Sequence, residues 1–163
     1  MVEIREARYA DIDTIITLWH ELMDDQRAKI QQHQHEHRFD FEEKTQSERM
    51  FRRFIKQLLR TDQGAVFLAE DKKQPVGYLQ IHISKNIPLF QLEKLGELND
   101  IYVRAPWRGQ GISSQLKDEA VRWCKKHNIK KVMLKVLPSN PHARQAYEAW
   151  GFSAFILEMR MNL

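Results

Sequence analysis

The feature that most constrains how this chain can fold is a glycine-containing turn between a strand pattern and an amphipathic helix pattern. The strand pattern Leu98-Asn-Asp-Ile-Tyr-Val103 ends before Pro106, and Gly109 and Gly111 follow. Glycine adopts positive φ values at no steric cost, so these two positions suit a curled turn. Apolar residues then recur at helical spacing, namely Ile112, Leu116, Ala120 and Trp123. A strand, a turn and a helix in this order are typical of an α/β protein.

The turn also has the composition of an anion-binding site. In a curled turn, the backbone N–H groups of residues 109–113 would point outward at a helix N-terminus, an arrangement that suits a pyrophosphate. Arg108 adds a positive charge beside them. The turn matches neither the phosphate loop ending in Gly-Lys-Ser/Thr nor the dinucleotide motif G-x-G-x-x-G, which disfavours those two nucleotide classes. An ordinary strand-to-helix loop with two glycines is the alternative.

The rest of the chain alternates between strand and helix patterns. Residues rich in β-formers predict strands at 2–7, 65–70, 76–84, 92–103, 131–137 and 152–161. A polar turn joins the strands at 65–70 and 76–84 into a hairpin. Four helices are predicted, beginning near Asp11 or Asp13, after the capping-box pattern Thr45-Gln-Ser-Glu48, at about Gly111 and at Asn140-Pro141. This order predicts one domain, residues 1–163, with a mixed sheet and helices on both of its faces.

The positive charge of the chain is concentrated in one stretch. The 163 residues carry a net charge of +4, and between Arg104 and Lys135 nine basic residues accompany only two acidic ones. This concentration indicates an anionic ligand nearby, although a lysine-rich solvated surface has the same composition. The stretch lacks interleaved exposed aromatic residues and any nucleic-acid-binding motif, so no nucleic-acid partner is expected.

Two classes of protein are excluded by composition. The single cysteine, Cys124, excludes a disulfide framework and a four-thiolate metal site. No run approaches the roughly 18 apolar residues of a membrane span, and the first residues lack the apolar stretch of a signal peptide. We therefore expect no membrane partner and a cytoplasmic location.

A histidine-rich segment lies between the first two predicted helices. His33, His35 and His37 share a strand face, and histidines at such spacing can hold zinc when a further ligand converges. The segment is polar, so a surface loop is the expected reading and no metal site is predicted. Ligand recognition is the remaining reading, since the segment also carries four acidic residues, namely Glu36, Asp40, Glu42 and Glu43.

A second motif spans Asn140-Pro-His-Ala-Arg-Gln-Ala-Tyr-Glu-Ala-Trp-Gly-Phe152. Asn140 stands where a side chain can cap a helix, and Tyr147 lies about two turns further along, near the same helix face. Taken alone, Tyr147 is typical of a core aromatic residue whose hydroxyl stays hydrated.

Over residues 98–152 the chain resembles the GNAT superfamily of acetyl-CoA-dependent N-acetyltransferases. The family pattern R/Q-x-x-G-x-G/A appears as Arg108-Gly-Gln-Gly-Ile-Ser113, with serine in place of the final glycine or alanine. The pattern N-x-x-A-x-x-x-Y-x-x-x-G-F is met in full by Asn140, Ala143, Tyr147, Gly151 and Phe152. Both motifs occur in the family's order, with a predicted strand between them.

The resemblance implies a fold and a co-substrate site. The fold is a mixed, mostly antiparallel sheet of six to seven strands, flanked by four helices, with a splay between two central strands. Acetyl-CoA is the implied co-substrate, its pantetheine pairing with the backbone of Ile101, Tyr102 and Val103. Its pyrophosphate would rest on Arg108, Gly109, Gln110, Gly111, Ile112 and Ser113, and Asn140 and Tyr147 complete the set. No metal is implied.

The resemblance further implies an acyltransferase in which a primary amine attacks the thioester directly. A backbone N–H near Val103 stabilises the developing oxyanion, and Tyr147 protonates the departing thiolate. An alkyl ammonium must first lose a proton, to Asp100, to Glu97 or through a water relay. The two-residue period of a strand places Glu97 and Asn99 on one face and Asp100 on the other, unless a bulge intervenes.

The acceptor stays open among diamines, aminoglycosides, amino acids, small drug-like amines and protein N-termini or lysines. In the resembled fold the connection between the first two helices helps to wall the acceptor site, so its acidic residues would attract a cationic amine. A non-catalytic acetyl-CoA-binding regulatory module is the alternative function, with the same cleft and no working base. Resemblance to the family also allows a homodimer.

Overall fold

A computed structural model describes residues 1–33 and 44–161. The described chain contains five strands, β1 (Val2–Glu6), β2 (Gly64–Asp71), β3 (Gln74–Lys85), β4 (Lys94–Val103) and β5 (Val132–Leu134). It contains four α-helices, α1 (Ile12–His33), α2 (Ser47–Leu58), α3 (Ile112–Lys126) and α4 (Pro141–Ala149). None of the described helices has the length and apolar character to cross a membrane.

The sheet has the order β1-β2-β3-β4-β5. The first four strands run antiparallel to their neighbours, whereas β5 is parallel to β4 and is reached through α3. The predicted hairpin is confirmed: β2 and β3 meet at a two-residue turn in which Lys72 and Lys73 have φ values of 49° and 66°. Two positive φ values are typical of the turn that matches the twist of a hairpin.

The sheet separates two core layers, as the predicted α/β architecture requires. On one face, α3 packs its buried stripe of Ile112, Leu116, Ala120 and Trp123 against β2, β3 and β4. On the other face, α1 and α2 pack against Val66, Leu68 and Tyr78 of the sheet. Burial of these apolar faces is the main stabilising contribution to the fold.

Strand β4 has an outer neighbour over only part of its length. It pairs with β5 through Gly96, Glu97 and Leu98, opposite Val132, Met133 and Leu134. From residue 99 to residue 103, β4 continues along β3 without β5 on its other side. Among the strands of the described chain, none pairs with this end of β4, so its backbone is open on one edge, next to the glycine turn.

A β-bulge changes which side chains of β4 share a face. Ile81 of β3 lies opposite Leu98, and the preceding residue Gln80 lies opposite Asp100, so Asn99 has no partner on β3. The extra residue reverses the alternation beyond it. Asp100 consequently joins Glu97 on the sheet face that α1 and α2 cover, and the simple two-residue alternation is wrong for this strand.

The predicted sheet of six to seven strands is wrong, because residues 152–161 form no strand and the described sheet has five. Five large apolar side chains of this segment are between 77% and 92% exposed, namely Phe155, Ile156, Leu157, Met159 and Met161. Strand preference depends on packing and pairing with a neighbouring strand, and the described residues provide neither for this segment.

The predicted capping box before α2 is also wrong. The helix begins at Ser47, and its cap residue Gln46 makes no side-chain capping bond. The Glu48 carboxylate instead accepts from Arg52, one turn further along α2, and contacts His20 of α1. The Glu48 side chain thus makes one contact within α2 and one with α1, and not a cap.

Candidate active site

The glycine turn before α3 presents a row of unpaired backbone donors. Gly109 and Gly111 have φ values of 76° and 75°, and a Cβ added to either would meet no atom within 4 Å. Glycine is required here by conformation and not by crowding. Among the described residues, the backbone N–H groups of residues 109–114 donate to no backbone carbonyl, and that of Gln115 is the next to do so. These donors, at the N-terminus of a 15-residue helix, fit a diphosphate.

Arg108 connects the turn to the end of β4. Its Nε donates to the Val103 carbonyl at 2.7 Å, and its guanidinium carbon lies 5.5 Å from the centre of the Tyr102 ring. Its Nη2 is 3.5 Å from Oδ1 of Asp25 on α1. Arg108 therefore adds positive charge beside the donors and also fixes the turn against the open edge of β4.

The open edge of β4 presents backbone groups of alternate residues. The Arg104 N–H donates to the Val76 carbonyl at 2.8 Å, and Tyr78 lies opposite Tyr102. Because hydrogen-bonded and non-bonded pairs alternate in an antiparallel ladder, Tyr102 pairs inward with β3. The groups of Ile101 and Val103 face the open edge. Because Arg108 already occupies the Val103 carbonyl, an extended amide chain can pair with the groups of Ile101 and with the Val103 N–H.

Helix α4 begins and ends as its motif predicts. The Asn140 Oδ1 accepts from the Ala143 N–H at 3.3 Å, and Pro141 occupies the first helical position. Tyr147 packs against Trp150 and Phe152 at centroid distances of 5.4 and 6.2 Å. Burial raises the pKa of Tyr147 above its usual value, so its hydroxyl is protonated at neutral pH and can donate a proton.

A hydrogen bond joins the end of α4 to the first turn of α3. The indole Nε1 of Trp150, at the end of α4, donates to Oγ of Ser114 in the first turn of α3 at 3.0 Å. The Lys117 amine, one turn further along α3, lies 5.8 Å from the centre of the Trp150 ring. The helix that carries Tyr147 is thus held against the helix that presents the backbone donors.

The bulge in β4 brings the two predicted base candidates to one face of the sheet. Asp100 accepts a hydrogen bond from the Tyr78 hydroxyl at 3.0 Å, and burial raises the pKa of Asp100 to about 6 even though this bond lowers it. The carboxylate oxygens of Glu97 lie 3.7 Å from the His82 Nε2 and 3.8 Å from the Lys135 Nζ. Both carboxyl groups are partly buried, so both are within reach of solvent.

Comparison with known proteins agrees with this geometry. The model of the acetyltransferase (GNAT) family matches residues 19–152 of the chain. The chain belongs to the GNAT acetyltransferase family. The residues that carry the two motifs lie inside the matched range, and the predicted membership is confirmed.

Two archaeal relatives share part of this GNAT chain. An uncharacterized N-acetyltransferase of Archaeoglobus fulgidus is 30% identical over 94 residues, which are 58% of this chain and 63% of the relative. An uncharacterized N-acetyltransferase of Methanocaldococcus jannaschii is 28% identical over 99 residues, 61% of this chain and 43% of the relative. The matches thus span less than two thirds of the length of either relative.

Solved structures confirm the GNAT fold. A predicted acetyltransferase of Clostridium acetobutylicum with acetyl-CoA has a TM-score of 0.79 at 20% identity, covering 99% of this chain and 96% of its own. An aminoglycoside N-acetyltransferase in complex with CoA has a TM-score of 0.76 at 15% identity, covering 100% of this chain and 95% of its own. Acetyl-CoA and CoA are bound in these two neighbours, in agreement with the predicted co-substrate.

The structure adds residues that motif analysis of this GNAT chain missed. Tyr78, Gln80 and His82 of β3 face the same side of the sheet as Glu97 and Asp100. Their signal in the sequence was a polar or hydroxyl-bearing residue at every second position of an otherwise apolar strand.

The histidine-rich segment lies mostly outside the described residues. His33 is the last residue of α1, whereas His35, His37 and the four acidic residues at 36, 40, 42 and 43 fall between the described ranges. In residues 1–33 and 44–161, no three His, Cys, Asp or Glu side chains are grouped so as to hold a metal ion.

Proposed function

We propose that this protein transfers the acetyl group of acetyl-CoA to a primary amine by direct attack of the amine on the thioester. The observation that carries the proposal is the row of unpaired N–H groups at residues 109–114, beside the open edge of β4. A diphosphate fits the donors, and an extended amide chain fits the edge. These are the two parts of coenzyme A that a protein backbone can recognise.

The backbone and Arg108 divide the work of binding. The donors of residues 109–114 hold the diphosphate, with Gly109, Gln110, Gly111, Ile112 and Ser113 each contributing an N–H. The Val103 carbonyl is occupied by Arg108, so the pantetheine amides pair with Ile101 and with the Val103 N–H. A backbone N–H near Val103 that is not paired with pantetheine can stabilise the negative charge that develops on the carbonyl oxygen.

Proton transfer falls to a carboxylate on β4 and a tyrosine on α4. Asp100 takes a proton from the acceptor ammonium, directly or through water, because a carboxylate with a pKa of about 6 is a stronger base than an ordinary aspartate. Glu97 is the second candidate. The amine nitrogen bonds to the carbonyl carbon, the carbon–sulfur bond breaks with its electron pair going to sulfur, and the Tyr147 hydroxyl protonates that sulfur. The acylated nitrogen then loses its remaining extra proton, which restores the Tyr147 hydroxyl through solvent, and the proton on Asp100 is released to water.

The proposal is tested by incubating the protein with acetyl-CoA and a library of amines while free thiol is measured. Aminoglycosides belong in the library because one structural neighbour is an aminoglycoside N-acetyltransferase. Tyr147→Phe should lower turnover about 100-fold, within the range for one acid–base group, while the acetyl-CoA Kd from calorimetry is unchanged.

Two other results would redirect the proposal. Absence of acetyl-CoA binding by calorimetry would overturn it. Acetyl-CoA binding without thiol release for any amine would instead support the non-catalytic regulatory module.

A further inference from the structure

Gln80 is a fully buried amide without a hydrogen-bond partner. Its exposed fraction is 0%, and among the described residues neither its Nε2 nor its Oε1 has a hydrogen-bond partner. Burying polar atoms without partners is costly, so native proteins do it rarely and usually where the group has a further role. At this position methionine or leucine would avoid the free-energy cost of burying polar atoms, yet the sequence has an amide.

The position of Gln80 in the sheet points to the acceptor. Alternation along β3 places Gln80 on the same face as Tyr78 and His82, and the register sets it opposite Asp100. His82 and Asp100 are both partly exposed, so the buried amide lies behind side chains that solvent reaches. The His82 Nδ1 is a second buried atom without a partner among the described residues. The buried polar atoms of Gln80 and His82 that have no partner among the described residues thus lie on the same sheet face as Asp100, the candidate base.

The hydroxyl and the carboxylates on this face are already engaged. The Tyr78 hydroxyl donates to Asp100, and the carboxylate of Glu97 has His82 and Lys135 nearby. Within the described part of this face, the Gln80 amide is the group that offers both a donor and an acceptor with no partner. A neutral group that both accepts and donates, such as a hydroxyl or a carboxamide, satisfies both atoms.

We propose that Gln80 determines acceptor specificity by binding a hydroxyl or carboxamide of an amine whose nitrogen approaches Asp100. The proposal rests on the acetyl transfer proposed above. Side chains of directly opposed residues stand about 5 Å apart across an antiparallel pair. The polar group of the acceptor therefore lies three or four bonds from the amine, which defines short amino alcohols and amino amides as the substrate class. Alkylamines of the same size leave the amide unpaired.

The test compares acceptors that differ only in this group, in the wild type and in Gln80→Met. Wild-type kcat/KM should be at least about tenfold higher for 3-amino-1-propanol than for butylamine, and likewise for ethanolamine over propylamine, because a site with a buried polar group rejects analogues that leave it unpaired. Methionine keeps the length of the side chain, so Gln80→Met should abolish the preference without changing the acetyl-CoA Kd. Gln74→Met, at an exposed glutamine of the same strand, is the matched control and should keep it.

A second readout separates specificity from a structural role. If the amide has no partner in the free protein, Gln80→Met raises Tm in the absence of amine, whereas a structural amide would make the variant less stable. With CoA present, 3-amino-1-propanol should raise the Tm of the wild type and not that of Gln80→Met. The shift in Tm reports binding even if no amine is acetylated. Absence of acetylation would count against the proposed transfer and not against the role of Gln80. Equal wild-type kcat/KM for the paired amines, or a preference that survives in Gln80→Met, overturns the inference.

Discussion

The Tyr78 hydroxyl on β3 donates a hydrogen bond of 3.0 Å to Oδ2 of Asp100 on β4. Burial raises the pKa of both groups, well above the usual value for Tyr78 and to about 6 for Asp100. The hydrogen bond is strongest when Tyr78 is protonated and Asp100 is ionised. The pair therefore keeps Asp100 charged in a setting that would otherwise favour the neutral acid.

The pH dependence of the reaction should report the Asp100 pKa. As the carboxyl ionises, kcat/KM should rise with pH through a midpoint near 6. Tyr78→Phe removes the hydrogen bond that lowers this pKa, so the midpoint should move to higher pH. Asp100→Asn should remove this rise of kcat/KM near pH 6 and lower kcat/KM about 100-fold or more. If Glu97→Gln loses the rise near pH 6 and Asp100→Asn keeps it, the base is Glu97.

Asp100 should also make stability depend on pH. Its folded pKa lies above the usual value of 3.8, so its contribution to stability is present below about pH 4 and is lost as pH rises through 6. Asparagine stays neutral and can still accept from Tyr78. The difference in unfolding free energy between Asp100→Asn and the wild type should therefore grow in favour of the variant by about 2 kcal/mol from pH 4 to pH 8. Urea unfolding of both proteins at pH 4 and at pH 8 measures this change. An equal difference in unfolding free energy at the two pH values would contradict the raised pKa of Asp100.

Gly111→Ala should weaken acetyl-CoA binding through backbone strain. At a φ value of 75° a Cβ has space but an unfavourable conformation, costing about 1–2 kcal/mol. If the turn relaxes, its N–H groups separate and the acetyl-CoA Kd should rise about tenfold or more, measured by calorimetry.

Gly151→Ala is the matched control for this change. Gly151 follows α4 with a φ value of 91°, and an added Cβ would likewise meet nothing within 4 Å. It should lose similar stability with a smaller change in acetyl-CoA affinity. Equal losses of affinity in both variants would show that general destabilisation, and not the turn, controls binding.

The parts of the structure that follow from local pattern were predictable. The buried stripe of α3 depends only on helical spacing, and the cap of α4 depends on Asn140 and the proline beside it. The turn before α3 was predictable because Gly109 and Gly111 stand where positive φ values occur. Each of these features is decided within a few residues of chain.

The parts that depend on pairing between distant segments were not predictable. The bulge at Asn99 exists only because Gln80 and Ile81 take Asp100 and Leu98 as partners. The sequence of β4 allows either alternation, and a single unpaired residue moves Asp100 to the opposite face. Residues 152–161 show the converse, since a β-rich pattern without a neighbouring strand forms no strand.

Trp150→Phe should test whether the contact between α3 and α4 positions Tyr147. The substitution keeps an aromatic ring beside Tyr147 but removes the hydrogen bond to Ser114, at a cost of about 1 kcal/mol in stability. Because α4 is then held less firmly, kcat should fall about tenfold while the acetyl-CoA Kd changes little. Ser114→Ala removes the same bond from the other side, and the double variant should lose no more kcat than either single variant, since both disrupt one interaction. Additive losses of kcat would mean that Trp150 acts through its ring packing instead of its bond to Ser114.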